Sequence, residues 1–235
     1  MRTIESKNGF FDLISARQRG SFVADLQPVE IRARDLLSQP GKALAGAYFP
    51  TSAVISMLCR SKGDTVDVRG VGREGMLGSA ALGAGELRFE AVCQIGGTML
   101  HMPGTTFRRH TARSPSLRSA LSAYASEVLA FTTQSVACNA LHTIDRQCAR
   151  WLLVTQDRAG TAEFSLTHEL LARMLGVRRS GISVAVSHLQ RSGFVRYKSG
   201  IMTIVDRGGL ERASCDCYRE ATMQRPLSRQ ARPAR

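Results

Sequence analysis

The chain has 235 residues, enough for two modest domains each with its own core, and a formal net charge of +13. That balance favours a polyanionic partner such as nucleic acid or an anionic membrane. No run of roughly 18 apolar residues exists to span a bilayer, and the N-terminal stretch lacks a signal peptide's apolar centre, so a cytoplasmic protein with no membrane partner is expected.

Phe10 to Leu26 mixes apolar and basic residues at helical spacing and predicts one or two lead-in helices. Val29 to Arg32 alternates like a half-buried strand. After Gln39-Pro40-Gly41 come short candidate strands at 47–49, 53–59, 65–71, 88–94 and 98–102, separated by glycine-rich turns, the pattern of a small antiparallel barrel or jelly roll. Within it, Val71-Gly-Arg-Glu-Gly-Met-Leu-Gly78 and Arg88 form a candidate effector site. Arg73, Gly75, Gly78 and Arg88 could meet an anion with backbone N–H groups and charge, while a tight barrel corner explains the same glycines.

From Pro115 the period changes to that of a long helix. Leu117, Leu121, Tyr124, Val128 and Phe131 follow spacings of four and three, and Leu129, Val136 and Leu141 add a second stripe. Residues 116–142 are therefore expected to pair with a second copy, with Val128 in the seam, while packing only against their own domain explains the same spacing. Thr143 to Asp157 predicts a further helix with Ala149, Leu152 and Leu153 inward. The segment 219–235, rich in Arg with Pro226 and Pro233, reads as a basic disordered tail.

Residues 164–206 carry the chemistry. Leu170, Leu171, Met174 and Leu175 stripe one short helix, Gly176 stops it, and a second helix over 179–191 buries Ile182, Val186 and Leu189. Two strands around Lys198-Ser199-Gly200 complete a helix-turn-helix with a wing. Arg178, Arg179, Ser180 and Ser183 suit base edges and phosphates in a major groove. Gly181 is a weakness, since glycine inside a helix costs about 1 kcal/mol relative to alanine.

Metal and catalytic signals are sparse. Cys59, Cys93, Cys138, Cys148, Cys215 and Cys217 contain no CxxC pair, and Cys215-x-Cys217 alone is an incomplete site. The histidines at 101, 110, 142, 168 and 188 show no ligand spacing, and no nucleophile with a base or pair of carboxylates stands out. No metal site and no enzyme activity are expected.

Tyr48-Phe49-Pro50, Val71-Gly-Arg-Glu-Gly-Met-Leu77, Cys138-Asn139-x-Leu141-His142, Arg150-Trp151-Leu152-Leu153 and Met174-Leu-Gly-Val-Arg-Arg179 resemble the bacterial Crp/Fnr transcription regulators over about residues 8–218. The resemblance implies an α+β chain in four parts. These are a cyclic-nucleotide-binding-like β jelly roll over 8–115, a dimerisation helix over 116–142, a winged helix-turn-helix over 143–218 and the tail. It also implies a homodimer on a pseudopalindromic double-stranded DNA site, with RNA polymerase and a small-molecule effector as further partners. Arg179 falls where such regulators read a base with arginine, whereas Ser180 and Val184 depart from the family's glutamate and arginine. Thr167 and His168 match a phosphate-contacting helix start, and Lys198 a wing position facing the backbone. Arg88 matches the phosphate-binding arginine, but its neighbour is Phe89 and the ribose-binding glutamate is missing, so cyclic AMP is not expected. The cofactor stays open; His101 or His110 could serve haem as a single axial ligand, and no motif selects it. A nonspecific, architectural DNA-binding protein with a vestigial sensory domain is the alternative.

Overall fold

The structure, a computed structural model, describes residues 8–42, 44–61, 64–78 and 89–223. Two compact units divide it, 8–57 with 70–128 and 58–69 with 129–223. Among the described residues no helix is long and apolar enough to cross a membrane.

The first unit is built on a two-sheet β domain with helices around it, whose strands β4 and β5 include residues 58–69 of the second unit. A 3-10 turn, Gly9–Leu13, and α1, Ala16–Ala24, lead into β1 (Gln27–Ile31), β2 (Leu36–Ser38), β3 (Gly46–Pro50), β4 (Val54–Ser61), β5 (Asp64–Val71), β6 (Glu90–Ile95) and β7 (Gly97–Pro103). One sheet runs β1-β7-β3 and the other β2-β6-β4-β5. Period-two alternation gives β7 two cores at once: Met99 packs with Ile31, Ala53, Ile55 and Cys93, while Leu100 packs with Phe10, Phe11, Phe22, Phe49 and Phe107. Phe10, Phe11, Phe22, Phe49 and Phe107 interlock at tilted or edge-on angles. Burying each such ring contributes about 1.5–3 kcal/mol. Asn8 ties the lead-in down: its amide donates to the Pro50 and Gly75 carbonyls, both at 2.8 Å, and its oxygen accepts from Phe10 N–H.

Two elements of this unit escape sequence reading. β2 has three residues, and its register against β6 shifts between Leu36 and Ser38. α2, Gly104–Arg113, buries only Phe107, too little for a recognisable stripe.

The long helix α3, Pro115–Leu141, begins here, and its apolar faces do not divide as expected. Leu117, Ala120 and Tyr124 are buried in the aromatic core with Leu121 and Val128 packed against it, so the first stripe belongs to the chain's own interior and Val128 is no free seam position. The residues of the expected second stripe are exposed, Leu129 68%, Val136 67% and Leu141 78%; Leu129 and Val136 share a face, and Leu141 lies well round the helix from them.

In the second unit, α4 (Ile144–Ala159) buries Cys148, Ala149, Leu152 and Leu153 completely and packs against α6 (Arg179–Arg191) and α7 (Arg207–Ala213). Gly160, at φ 72°, ends α4. Thr167 caps α5, His168–Leu175, by accepting from Leu170 N–H, and Gly176 closes it at φ 65°. A left-handed residue there costs glycine little and any other residue about 1–2 kcal/mol. β9 (Val195–Lys198) and β10 (Ile201–Ile204) form the wing around Ser199 and Gly200, at φ 50° and 80°; β8, Glu163–Ser165, adds a third strand in the order β8-β10-β9. The Phe131 ring has the guanidinium carbons of Arg69, Arg150 and Arg158 at 5.3, 5.2 and 5.0 Å, so this second member of the expected seam is also engaged within the chain. α8, Cys217–Met223, carries helix into the segment composition assigned to the tail, and the rest of that segment lies outside the described residues.

Candidate nucleic-acid interface

The inner face of α6 is fixed by Ile182, Ala185, Val186 and Leu189, all 4% exposed or less. That spacing of three and four leaves Arg178, Arg179, Ser180, Val184, Ser187, Gln190 and Arg191 on the outside. Ser183, Val184, Ser187, Gln190 and Arg191 line a shallow open depression there. Val184 is 54% exposed, an apolar side chain held out on an otherwise polar face. Lys198 stands exposed at the wing turn beside Ser199. Arg173 is turned toward Glu169 at 3.6 Å, one helical turn away.

His168 and Ser183 have a different place from the one their residue types suggested. His168 Nδ1 lies 3.0 Å from Ser183 Oγ, and its ring stacks on Tyr197 at 4.5 Å and 24°. Ser183 Oγ donates to the Arg179 carbonyl at 3.2 Å, so the imidazole is the donor to it and its proton sits on Nδ1. These three side chains bracket α5, α6 and the wing together. Burial, and then the nearby Arg179 charge, lower the His168 pKa below 6.5, which keeps the ring neutral at pH 7. Thr167 Oγ1 likewise accepts from Leu170 N–H at 3.1 Å, although the residue stays exposed.

Gly181 has a reason to be glycine. A Cβ there would stand 3.0 Å from Ile144 Cδ1, so its lack of a side chain lets α6 lie close to the start of α4.

The candidate effector turn is used up by its own packing. Gly72 N–H donates to the Glu74 carboxylate at 3.1 Å and Gly75 N–H to the Gly72 carbonyl at 3.1 Å. Met76 N–H donates to the Tyr124 hydroxyl at 3.0 Å, which donates in turn to the Met76 carbonyl at 2.9 Å, and Leu77 N–H donates to Tyr48 at 2.9 Å. A Cβ on Gly75 would meet Tyr124 Oη at 2.4 Å, and one on Gly78 would meet the Gly46 carbonyl oxygen at 2.4 Å. These glycines admit neighbouring groups of the protein, and four of the turn's N–H groups, those of Gly72, Gly75, Met76 and Leu77, already have partners within it. Arg73 is exposed at the turn, and Arg88 lies outside the described residues. The two histidines available to haem are apart: His101 stacks on Tyr48 at 4.6 Å, and His110 Nε2 lies 2.8 Å from Asp25.

Sequence reasoning missed one cluster. Cys138, far from the other two in sequence, joins Cys215 and Cys217, and all three are buried.

Residues 146–213 match the family described as the Crp-like helix-turn-helix domain. Three solved structures show what the whole chain is similar to. A Crp/Fnr-family transcriptional regulator from Eubacterium rectale is 17% identical, covers 89% of this chain and 99% of its own, and has a TM-score of 0.65. A CRP/FNR-family regulator from Thermus thermophilus is 21% identical over 80% of this chain and 98% of its own, with a TM-score of 0.64. FixK2 from Bradyrhizobium japonicum is 14% identical over 81% and 98%, with a TM-score of 0.68. No protein of curated function is similar enough in sequence to match.

Proposed function

We propose, from the premise that this chain carries a Crp-like helix-turn-helix domain on the fold of the Crp/Fnr regulators, that it is a transcription regulator binding a pseudopalindromic promoter site as a homodimer. The observation that carries the reading is the outer face of α6. Its inner face is sealed, while Arg178, Arg179, Ser180 and Val184 stand exposed along one side. In this reading Arg179 forks onto a guanine edge and Val184 meets a thymine methyl, an apolar contact that explains its exposure. Ser180 is a short base-edge contact, and Arg178, Thr167 and Lys198 face phosphates. His168 and Ser183 act through Arg179 rather than on DNA. Catalysis has no part in the reading.

Pairing is supported by Leu129 and Val136, two turns apart on one face of α3 and each more than half exposed. A face like this on a helix leading into the DNA-binding unit suits a symmetric contact that sets two recognition helices about 34–36 Å apart. The resemblance extends to RNA polymerase as a partner and to a small effector for the barrel, but the engaged N–H groups of Gly72, Gly75, Met76 and Leu77 weigh against a cyclic-nucleotide phosphate at that turn.

The test is selection from a random duplex pool at about 0.15 M salt with the wild-type chain and Arg179→Ala. A two-fold-related site that is enriched by the wild type and lost by the variant supports the reading. Strong, salt-steep binding with no enriched sequence supports an architectural protein instead. Light scattering on Leu129→Glu combined with Val136→Glu should show monomers, and a full dimer would refute the seam.

A further inference from the structure

The Sγ atoms of Cys138, Cys215 and Cys217 all lie within 4.8 Å of one another. Cys138 and Cys215 are 3.4 Å apart, sulfur to sulfur. Cys138 comes from the C-terminal half of α3, Cys215 from the link between α7 and α8, and Cys217 from the first position of α8. Their exposures are 0, 3 and 4%, so they form an enclosed, sulfur-lined point. A tetrahedral zinc ion with Zn–S bonds of about 2.3 Å holds its sulfurs about 3.8 Å apart, and a trigonal ion of similar bond length about 4.0 Å. The printed separations, 3.4 Å for one pair and no more than 4.8 Å for any, bracket both values, so either arrangement is reached with shifts of about 1 Å or less.

From this geometry we propose that Cys138, Cys215 and Cys217 form a binding site for a thiophilic d10 cation of the zinc class, clamping the end of α3 to the α7–α8 segment. Thiolates select such ions over hard cations. Each sulfur exchanges its proton for a bond to the metal, the protons pass to bulk water, and no electron moves. Three thiolates and a divalent cation leave one negative charge, and the 8%-exposed Arg150 supplies the balancing cation. Its guanidinium donates to Ser135 Oγ at 2.9 Å, and its charge favours the thiolate at Cys138. Gln134, whose amide nitrogen donates to Cys217 Sγ at 3.0 Å, is placed to close a fourth position when its amide is turned end for end.

A disulfide is the competing use of the cluster, and the geometry weighs against it: three sulfurs converge where a disulfide needs two.

The test uses the full-length, tag-free chain, reduced and stripped of metal, titrated with Zn2+ and separately with Co2+ as a spectroscopic probe. Native mass spectrometry should find one ion per chain, and Co2+ should give intense sulfur-to-metal charge-transfer absorption. Cys138→Ser and Cys217→Ser should each weaken binding by more than the roughly 10–100-fold that outer-shell changes cost, while Cys59→Ser, at an exposed cysteine, should bind as the wild type does. X-ray absorption on the zinc-loaded wild type does not depend on any variant folding, and it should show three sulfurs at about 2.3 Å. The proposal is overturned by no uptake in the reduced wild type, by a shell with fewer than three sulfurs, or by unchanged binding in a folded Cys138→Ser.

Discussion

The barrel turn 72–78 and the recognition helix α6 both hold glycines, and the same residue type does opposite things for function in the two places. At Gly75 the missing side chain admits the Tyr124 ring, whose hydroxyl then satisfies both the N–H and the carbonyl of Met76. At Gly181 it admits the tip of Ile144, and the inner face of α6 is sealed while the outer face stays exposed. The turn spends its polar groups on itself; the helix keeps them outward. A glycine-rich stretch is therefore a ligand site only when its backbone donors are left over. Residue type does not reveal that, because the partners sit far along the chain.

That contrast can be broken by substitution. Gly75→Val should have the largest effect, a loss of about 3 kcal/mol of stability, because the added atoms overlap a ring tied down at its far end. Denaturant unfolding checks it, and a near-neutral result would mean the turn is loose enough to be a ligand loop. Arg179→Ala should leave the unfolding midpoint where it is and weaken specific DNA binding by about 1–3 kcal/mol, relaxing preference at one base position. An equal loss on every duplex would demote Arg179 to a phosphate contact.

A smaller effect is expected from pH. His168 titrates below its ordinary 6.5 because of burial and then Arg179, and His101 does so because of burial. The unfolded chain takes up these protons first as pH falls. Their stabilisation is thus complete above about pH 6.5 and is lost as pH drops from there through the lowered folded values. Thermal midpoints should fall between about pH 7.5 and 5.5, and His168→Gln should flatten the slope. Gly181→Ala should do least. The gain of about 1 kcal/mol in helix propensity is offset by crowding against Ile144 at 3.0 Å, and the selected DNA site should not change.

The bounds of α6 were legible because a sealed apolar stripe at spacings of three and four begins just after a helix-stopping glycine. The barrel strands were legible from alternation and turn residues. β2 and β8 were not, since three residues are too few for a period of two to declare itself. The long helix was found but its faces were exchanged. Spacing shows that two stripes exist, and only the aromatic core decides that Leu117, Tyr124 and Val128 turn toward it while Leu129 and Val136 do not. The exposed placement of Arg178, Arg179, Ser180 and Lys198 was readable from type and position. The bracket of His168, Ser183 and Tyr197 and the meeting of Cys138 with Cys215 depend on tertiary closure, and no spacing along the chain encodes them.

The apolar stripe of α3 lies on a chain whose formal charge is +13. Two such copies repel one another before their stripes can touch, and dissolved ions relieve that repulsion. The same ions compete with arginine and lysine for the phosphates of DNA. Salt therefore pushes the two proposed associations, pairing and DNA binding, in opposite directions. Dilute buffer favours single copies scattered along any duplex, concentrated salt favours pairs that have let go of it, and occupancy of a two-fold site peaks at an ionic strength in between.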